Sequence, residues 1–225
     1  MEKFKLYIYL LSFSILTSCS TSKMLTSDVS PDEIKDLQKF QTFAYISLIE
    51  RSNNGTLNDT LSEESTEIFN EVLSTYKTQI PFGGNITISD TFLIKKIEKE
   101  IEYLCITAER QRSISDLKIT PMLDSLLEKK GKRFGLITIT TGFTRVNGNY
   151  SKQLAKGAAI GILTLGMSYQ TPIKASSTVY AMIVDAKDNN IAFFRKSYLQ
   201  DREPLDKNVL KIQIQKIFKN YFWTK

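Results

Sequence analysis

The sequence predicts an α/β (α+β) fold: a mixed sheet of about five strands with helices packed on it, forming a single domain over residues 33–225. Three observations predict it. Runs rich in β-branched and aromatic residues (42–49, 134–144, 178–184 and 191–198) are separated by segments whose apolar residues recur at helical spacing. The hydrophobic and charged fractions, 42% and 24%, are those of an ordinary globular chain. A body of roughly 200 residues fills one substantial core and is short for two.

The first 18 residues stand apart from that body. Lys3 and Lys5 precede an uncharged run from Leu6 to Leu16. A basic start, an apolar stretch of about 7–15 residues and small residues before the cut define a secretory signal. An uncleaved anchor would need about 20 apolar residues. The run ends in Leu16-Thr17-Ser18-Cys19, which closely resembles the lipobox of bacterial lipoproteins. The resemblance implies that residues 1–18 are a signal peptide and that Cys19 becomes the first residue of the mature chain, acylated on its thiol (palmitate being one such chain) and on its new amino terminus. Membrane lipid would then be a partner through Cys19, and two or more chains make such anchoring stable. Ser20 in place of Asp points, in the enterobacterial sorting pattern, to the outer membrane. Ser20-Thr21-Ser22-Lys23 contains no acidic cluster, unlike the surface-export signal of gut Bacteroidota lipoproteins, and by that comparison the resemblance implies the periplasmic face. Residues 19–32 read as a polar tether, and its twelve residues 20–31 reach at most about 40 Å.

Within the body, Asp32 to Lys39 suggests a short helical turn, and Thr42 to Ile49 the first strand. Arg51 to Asp59 is a loop by its Asn and Gly content. Thr60-Leu61-Ser62-Glu63 fits a capping box. Ile68, Phe69, Val72, Leu73 and Tyr76 then form one helix face, and Pro81-Phe82-Gly83-Gly84 stops the helix. Asn85 to Ile88 alternates like a short strand. Ser89 or Asp90 caps the next helix, whose apolar row is Ile94, Ile97, Ile101, Leu104, Cys105 and Ala108. Its other face, Lys95, Lys96, Glu98, Lys99 and Glu100, reads as solvated. Thr120-Pro121 opens a short helix that Gly131 closes. Phe134 to Thr144 is the third strand. Thr178 to Val184 and Ile191 to Tyr198 flank a turn, Asp185 to Asn190, and form a hairpin. A last helix starts near Asp206, with Leu210, Ile214, Ile217, Phe218 and Tyr221 inward.

The composition removes several kinds of chemistry. There is no histidine, so Ser-His-Asp and Cys-His catalysis and the usual catalytic zinc sites are excluded. With Cys19 acylated, Cys105 has no intramolecular partner and reads as a buried, inert thiol. The net charge of +6 comes from scattered lysines, which is no nucleic-acid stripe. Gly157, Gly161 and Gly166 match neither phosphate-binding fingerprint. Asp185 and Asp188 resemble half a calcium loop without its Gly and terminal Glu, and fit a hairpin turn better. Neither a metal nor a cofactor is expected, nor any catalytic residue.

Leu154 to Met167 is the odd piece, small and apolar, with Gly157, Gly161 and Gly166 permitting close backbone approach. It reads as a short helix packed tightly on the sheet or on a second subunit. The other reading is a membrane segment of an oligomeric pore or secretion-channel subunit, against which Lys156 and the lack of long alternation argue.

The order strand, helix, strand, two helices, strand, insertion, hairpin, helix is similar to the α/β domain shared by three envelope proteins: the amino-terminal domain of the Tol system's β-propeller protein, the lipoprotein activators of penicillin-binding proteins, and the curli secretion channel subunit. Ile119 to Thr144 resembles that fold's helix and its Tyr-Leu-Val-x-Gly-x-Ile-Thr strand. Thr178 to Phe194 resembles its x-Val-Asp-x-x-Thr-Gly-x-Ile-Val hairpin, with Asp185 in the Asp place. Asp188-Asn189-Asn190 replaces the Thr-Gly turn, and Gly142 falls later than in the pattern. The resemblance carries over no catalytic residue. The expectation is a non-catalytic lipoprotein with a binding or scaffolding role in envelope assembly and an envelope protein as partner. The alternatives are the channel subunit using residues 154–167 and a histidine-free glycan hydrolase.

Overall fold

The computed structural model describes residues 23–223 apart from 166, 169 and 170. Leu16, Thr17, Ser18 and Cys19, and also Gly166, lie outside the described residues. The elements run β1 (Met24–Thr26), β2 (Leu37–Phe40), β3 (Phe43–Arg51), β4 (Asn54–Leu57), α1 (Asp59–Ser74), β5 (Phe82–Ile86), α2 (Thr91–Arg110), α3 (Pro121–Lys129), β6 (Phe134–Arg145), α4 (Asn149–Leu163), β7 (Ser176–Asp185), β8 (Asn190–Gln200) and α5 (Lys207–Phe218). The fold is α/β, one mixed sheet of eight strands with helices on both faces. Three strands beyond the expected five, β1, β2 and β4, are only three or four residues long. That is too short for alternation to register.

Strand β6 is the spine. Its ten residues from Phe134 to Phe143 pair antiparallel with Asp185 to Ser176 of β7. Along its other side β2 and β3 follow one another, both parallel to it, β2 beside Gly135–Leu136 and β3 beside Ile139–Arg145. The break between them is filled by Thr42, whose hydroxyl lies 2.8 Å from that of Thr138 and 2.9 Å from Asn70 Oδ1. β7 and β8 form the expected hairpin. β1 adds antiparallel to β8, Met24 beside Arg195 and Thr26 beside Phe193. Part of the presumed tether is therefore sheet, and Leu25 is buried in the core.

Local signals misplaced two boundaries. Helix α1 is capped by Asn58, whose Oδ1 accepts from Leu61 N at 3.0 Å, and not by Thr60. Phe82-Gly83-Gly84 opens strand β5 instead of forming the stop. At Gly83 the Asp36 side chain lies against the backbone, 1.4 Å from where a Cβ would stand, so a larger residue there would displace that carboxylate. The expected turn at 32–39 is a single 3-10 turn, Pro31–Glu33, followed by β2.

One face of the sheet carries α1 and α5. Phe69, Val72 and Leu73 from α1 and Leu210, Ile214, Ile217 and Phe218 from α5 pack on Val179, Ala181, Ile183 and Phe193. The opposite face carries α2 and α3, with Ile97, Ile101, Leu104, Leu123 and Leu127 packed on Phe43, Ile137, Met182 and Phe194. Burying one such side chain stabilises the fold by about 1.5–3 kcal/mol. On the first face the Thr- and Ser-bearing strand positions meet polar groups of the helices: Thr140 meets Ser65 at 3.1 Å, and Ser177 donates to Gln213 Oε1 at 2.7 Å.

Candidate functional site

On the second face, strand alternation sets Tyr45 of β3, Ile139 and Thr141 of β6 and Tyr180 of β7 side by side. Helix α2 crosses above them without closing on them. Its apolar row is spent on the lower half of the sheet, so its flank with Phe92, Lys95, Lys99, Glu102 and Ile106 overhangs a groove of about 730 Å³. The floor is apolar and aromatic, and the overhanging rim is mixed in charge. A second, more open hollow of about 550 Å³ continues from Thr141 over Phe143 and Arg145.

Two polar bridges hold α2 over the groove. Tyr45 donates its phenolic hydrogen to Glu98 Oε1, and Lys196 of β8 pairs with Glu109. Glu98 and Glu109 are about 16 Å apart along a helix that rises 1.5 Å per residue. β3 and β8 are three strand spacings apart, about 14 Å, so the helix lies across the strands and both bridges form without bending it. Burial, with the Glu98 carboxylate second, pushes the Tyr45 phenol above its ordinary range. Lys196 Nζ also sits 5.3 Å above the Tyr180 ring. Glu98, read from sequence as solvated, is thus a tie across the groove. Finding it from sequence would have required the register that brings Tyr45 under α2.

Cys105 lines the groove from the α2 side, 6% exposed. Burial pushes its thiol up to about 12, so it stays protonated and is a poor nucleophile at neutral pH. Asp185 is fully buried and takes Arg133 in a two-pronged pair, with Nε at 2.9 Å and Nη2 at 2.7 Å, while Asp188 takes the same guanidinium at 2.9 Å. Both carboxylates are occupied in fixing the hairpin. Among the described residues no group of three His, Cys, Asp or Glu side chains is placed to hold a metal ion.

Leu154 to Leu163 is helical, as expected, but α4 does not pack tightly on the sheet. Of its fifteen residues only Asn149 and Gly157 are buried, and Gly161 is half-buried. Ile162, Leu163, Leu165 and Met167 are 77%, 83%, 91% and 88% exposed. Among the described residues no helix is long and apolar enough to cross a membrane.

No family model matches the sequence, and neither does any curated protein. Solved structures align over most of the chain at low identity. A PelC dodecamer from Paraburkholderia phytofirmans aligns with 91% of this chain and 99% of its own, at 8% identity and a TM-score of 0.39. The LpoB C-terminal domain from Salmonella enterica aligns with 78% of this chain and 87% of its own, at 10% identity and a TM-score of 0.32. The functional reading rests on this chain's own residues.

Proposed function

We propose that this chain is a non-catalytic lipoprotein of the bacterial envelope, anchored through Cys19 to the periplasmic face of the outer membrane, which holds a segment of a partner protein in the groove beneath α2. The observation that carries the reading is the groove itself. It has an apolar floor of Tyr45, Ile139 and Tyr180, a rim of both charge signs, and a buried thiol held in its unreactive form. Such a surface suits a polypeptide that inserts apolar side chains between Tyr45 and Tyr180 and lays its polar groups along Lys95, Lys99 and Glu102. The anchor would keep the body beside its membrane, and the lipobox at Leu16–Cys19 supports it.

A photo-reactive residue at Phe92 or Ile106, both exposed on the lip of the groove, tests this in intact cells. One discrete adduct with an envelope protein is expected from both positions, and none from Lys211 on the outer face of α5. Equal adducts from all three positions, or none from the lip, would overturn the reading.

A further inference from the structure

Helix α4 is firmly rooted. Arg145, at the end of β6, donates from Nη1 to Asn149 Oδ1 at 2.6 Å, from Nη2 to Asn53 Oδ1 at 2.9 Å, and from Nε to Ile173 O at 2.9 Å. Asn149, the first residue of α4, is buried and donates to Glu50 O at 3.2 Å. One guanidinium therefore joins the start of α4, the β3–β4 turn and the segment entering β7. A fifteen-residue helix extends about 22 Å, and this one ends in a cluster of uncovered aliphatic side chains: Ile160, Ile162, Leu163, Leu165 and Met167. Scattered exposed apolar residues are ordinary, but a contiguous group marks a contact surface.

Two facts say what covers it. The first is where the chain before β1 comes from. β8 runs upward to Gln200, which lies beside Ser176 at the start of β7, and Phe143 near the end of β6 lies beside the same Ser176. α4 springs from that end of the sheet. β1 runs antiparallel to β8, from Met24 beside Arg195 to Thr26 beside Phe193, so the chain enters β1 from that same end. Five peptide links from Cys19 to Met24 span at most about 18 Å, and β1 and β3 are four strand spacings apart, about 19 Å. The second is charge. Helix α4 carries Lys152 and Lys156 and no carboxylate, and at the same end of the sheet Arg51, Arg145, Lys174 and Arg202 outnumber Glu50, Asp201 and Glu203, a balance suited to an anionic lipid surface.

We propose that the aliphatic end of α4 inserts into the bilayer that holds the Cys19 acyl chains, giving the body a second point of contact and one orientation. This rests on the reading of Cys19 as the lipid anchor. With its end in the acyl region, α4 sets the sheet end-on to the membrane, so the body cannot swing freely about its lipid.

The test uses the full acylated chain carrying Leu163→Cys, labelled with an environment-sensitive nitrobenzoxadiazole and reconstituted in phosphatidylethanolamine–phosphatidylglycerol vesicles. Cys105 is buried and Cys19 is blocked by acylation, so the label is confined to one site. Position 163 is 83% exposed, so the substitution leaves the fold intact. Blue-shifted emission is expected, with several-fold stronger quenching by acyl-chain nitroxide lipids than for a label at Lys211→Cys, and Leu165→Glu should abolish the difference. Equal quenching at 163 and 211 would overturn the proposal. So would label–label self-quenching at 163 in detergent, which would assign the tip to a second copy of this chain. Labelled palmitate incorporation, lost in Cys19→Ala, is scored separately. Incorporation without quenching at 163 sinks the insertion and leaves the anchor; quenching without incorporation, repeated in Cys19→Ala so that position 163 alone takes the label, sinks the anchor and leaves the insertion.

Discussion

Helices α1 and α5 follow their side of the sheet toward the end where β6 and β8 finish, whereas α2 turns across the strands and leaves that end of its side open. The consequence is visible row by row. Toward the α1 and α5 side, Ile46, Ser177 and Ser197 are 0%, 1% and 0% exposed. Toward the other side, their neighbours Tyr45, Thr141, Phe143 and Tyr198 are half-buried. Adjacent positions of the same strands thus serve as core on one face and as floor of a groove on the other. What differs is the helix direction, which the Tyr45–Glu98 and Lys196–Glu109 bridges fix. Stability should concentrate on the closed side and binding on the open one.

The largest effect is expected where the closed side is densest. Phe193 is fully buried between Phe218, with ring centroids 5.8 Å apart, and Tyr221, at 4.4 Å. Phe193→Ala should lower unfolding free energy by about 3–5 kcal/mol through lost transfer energy and the remaining cavity, measured by denaturant titration. A loss as small as that of a surface substitution would break the contrast between the two faces.

A smaller loss is expected at the polar fastening of α5. Gln213 donates to Ser177 O at 3.0 Å and Ser197 O at 2.9 Å and accepts from Ser177 Oγ, all away from water. Gln213→Leu keeps the bulk but strands those partners, at a cost of about 1–3 kcal/mol. Amide hydrogen exchange should then quicken in α5 and the adjoining part of β8, with α2 unchanged. A uniform change across both faces would mean that they unfold as one unit.

Much of this was legible in the sequence, and the pattern of what was not has a physical reason. Of the α2 row Ile94, Ile97, Ile101, Leu104, Cys105 and Ala108, all but the half-buried Ile94 are buried, because helical spacing reports a face directly. The β7–β8 hairpin and its Asp185 turn were legible because Asp and Asn favour turns through their own hydrogen bonds. β1 and β2 were hidden by length, and β2 also by Gln38 and Lys39, which find partners in Asp36 and Asn70. The groove was illegible for a different reason. Tyr45 and Tyr180 are 135 residues apart in sequence and meet only through the β3–β6–β7 register, and no local pattern encodes that register. The exposed end of α4 was read as packing surface because apolar composition says that a segment wants cover, not whether the chain itself supplies it.

The smallest effect belongs to the α2 side of the groove and probes how closed it is. Burial first, and the Glu109 carboxylate second, push the Cys105 thiol from 9.0 up to about 12. An unfolded chain would lose that proton near 9.0 while the folded chain keeps it. Between those values the unfolded state binds fewer protons, so stability is fully present below 9.0 and falls as pH rises toward 12. Wild type and Cys105→Ala should therefore show different losses of denaturation midpoint between about pH 8 and about pH 11, the variant losing less. The raised phenol of Tyr221 acts in the same direction and is common to both chains, so it cancels; those of Tyr45 and Tyr180 are raised in part by the Cys105 sulfur itself, so its removal lowers them and adds to the difference in the same sense. Equal slopes would mean that water reaches the sulfur in the folded state. The thiol should then alkylate at neutral pH, and the groove would be deeper and wetter than its lining implies.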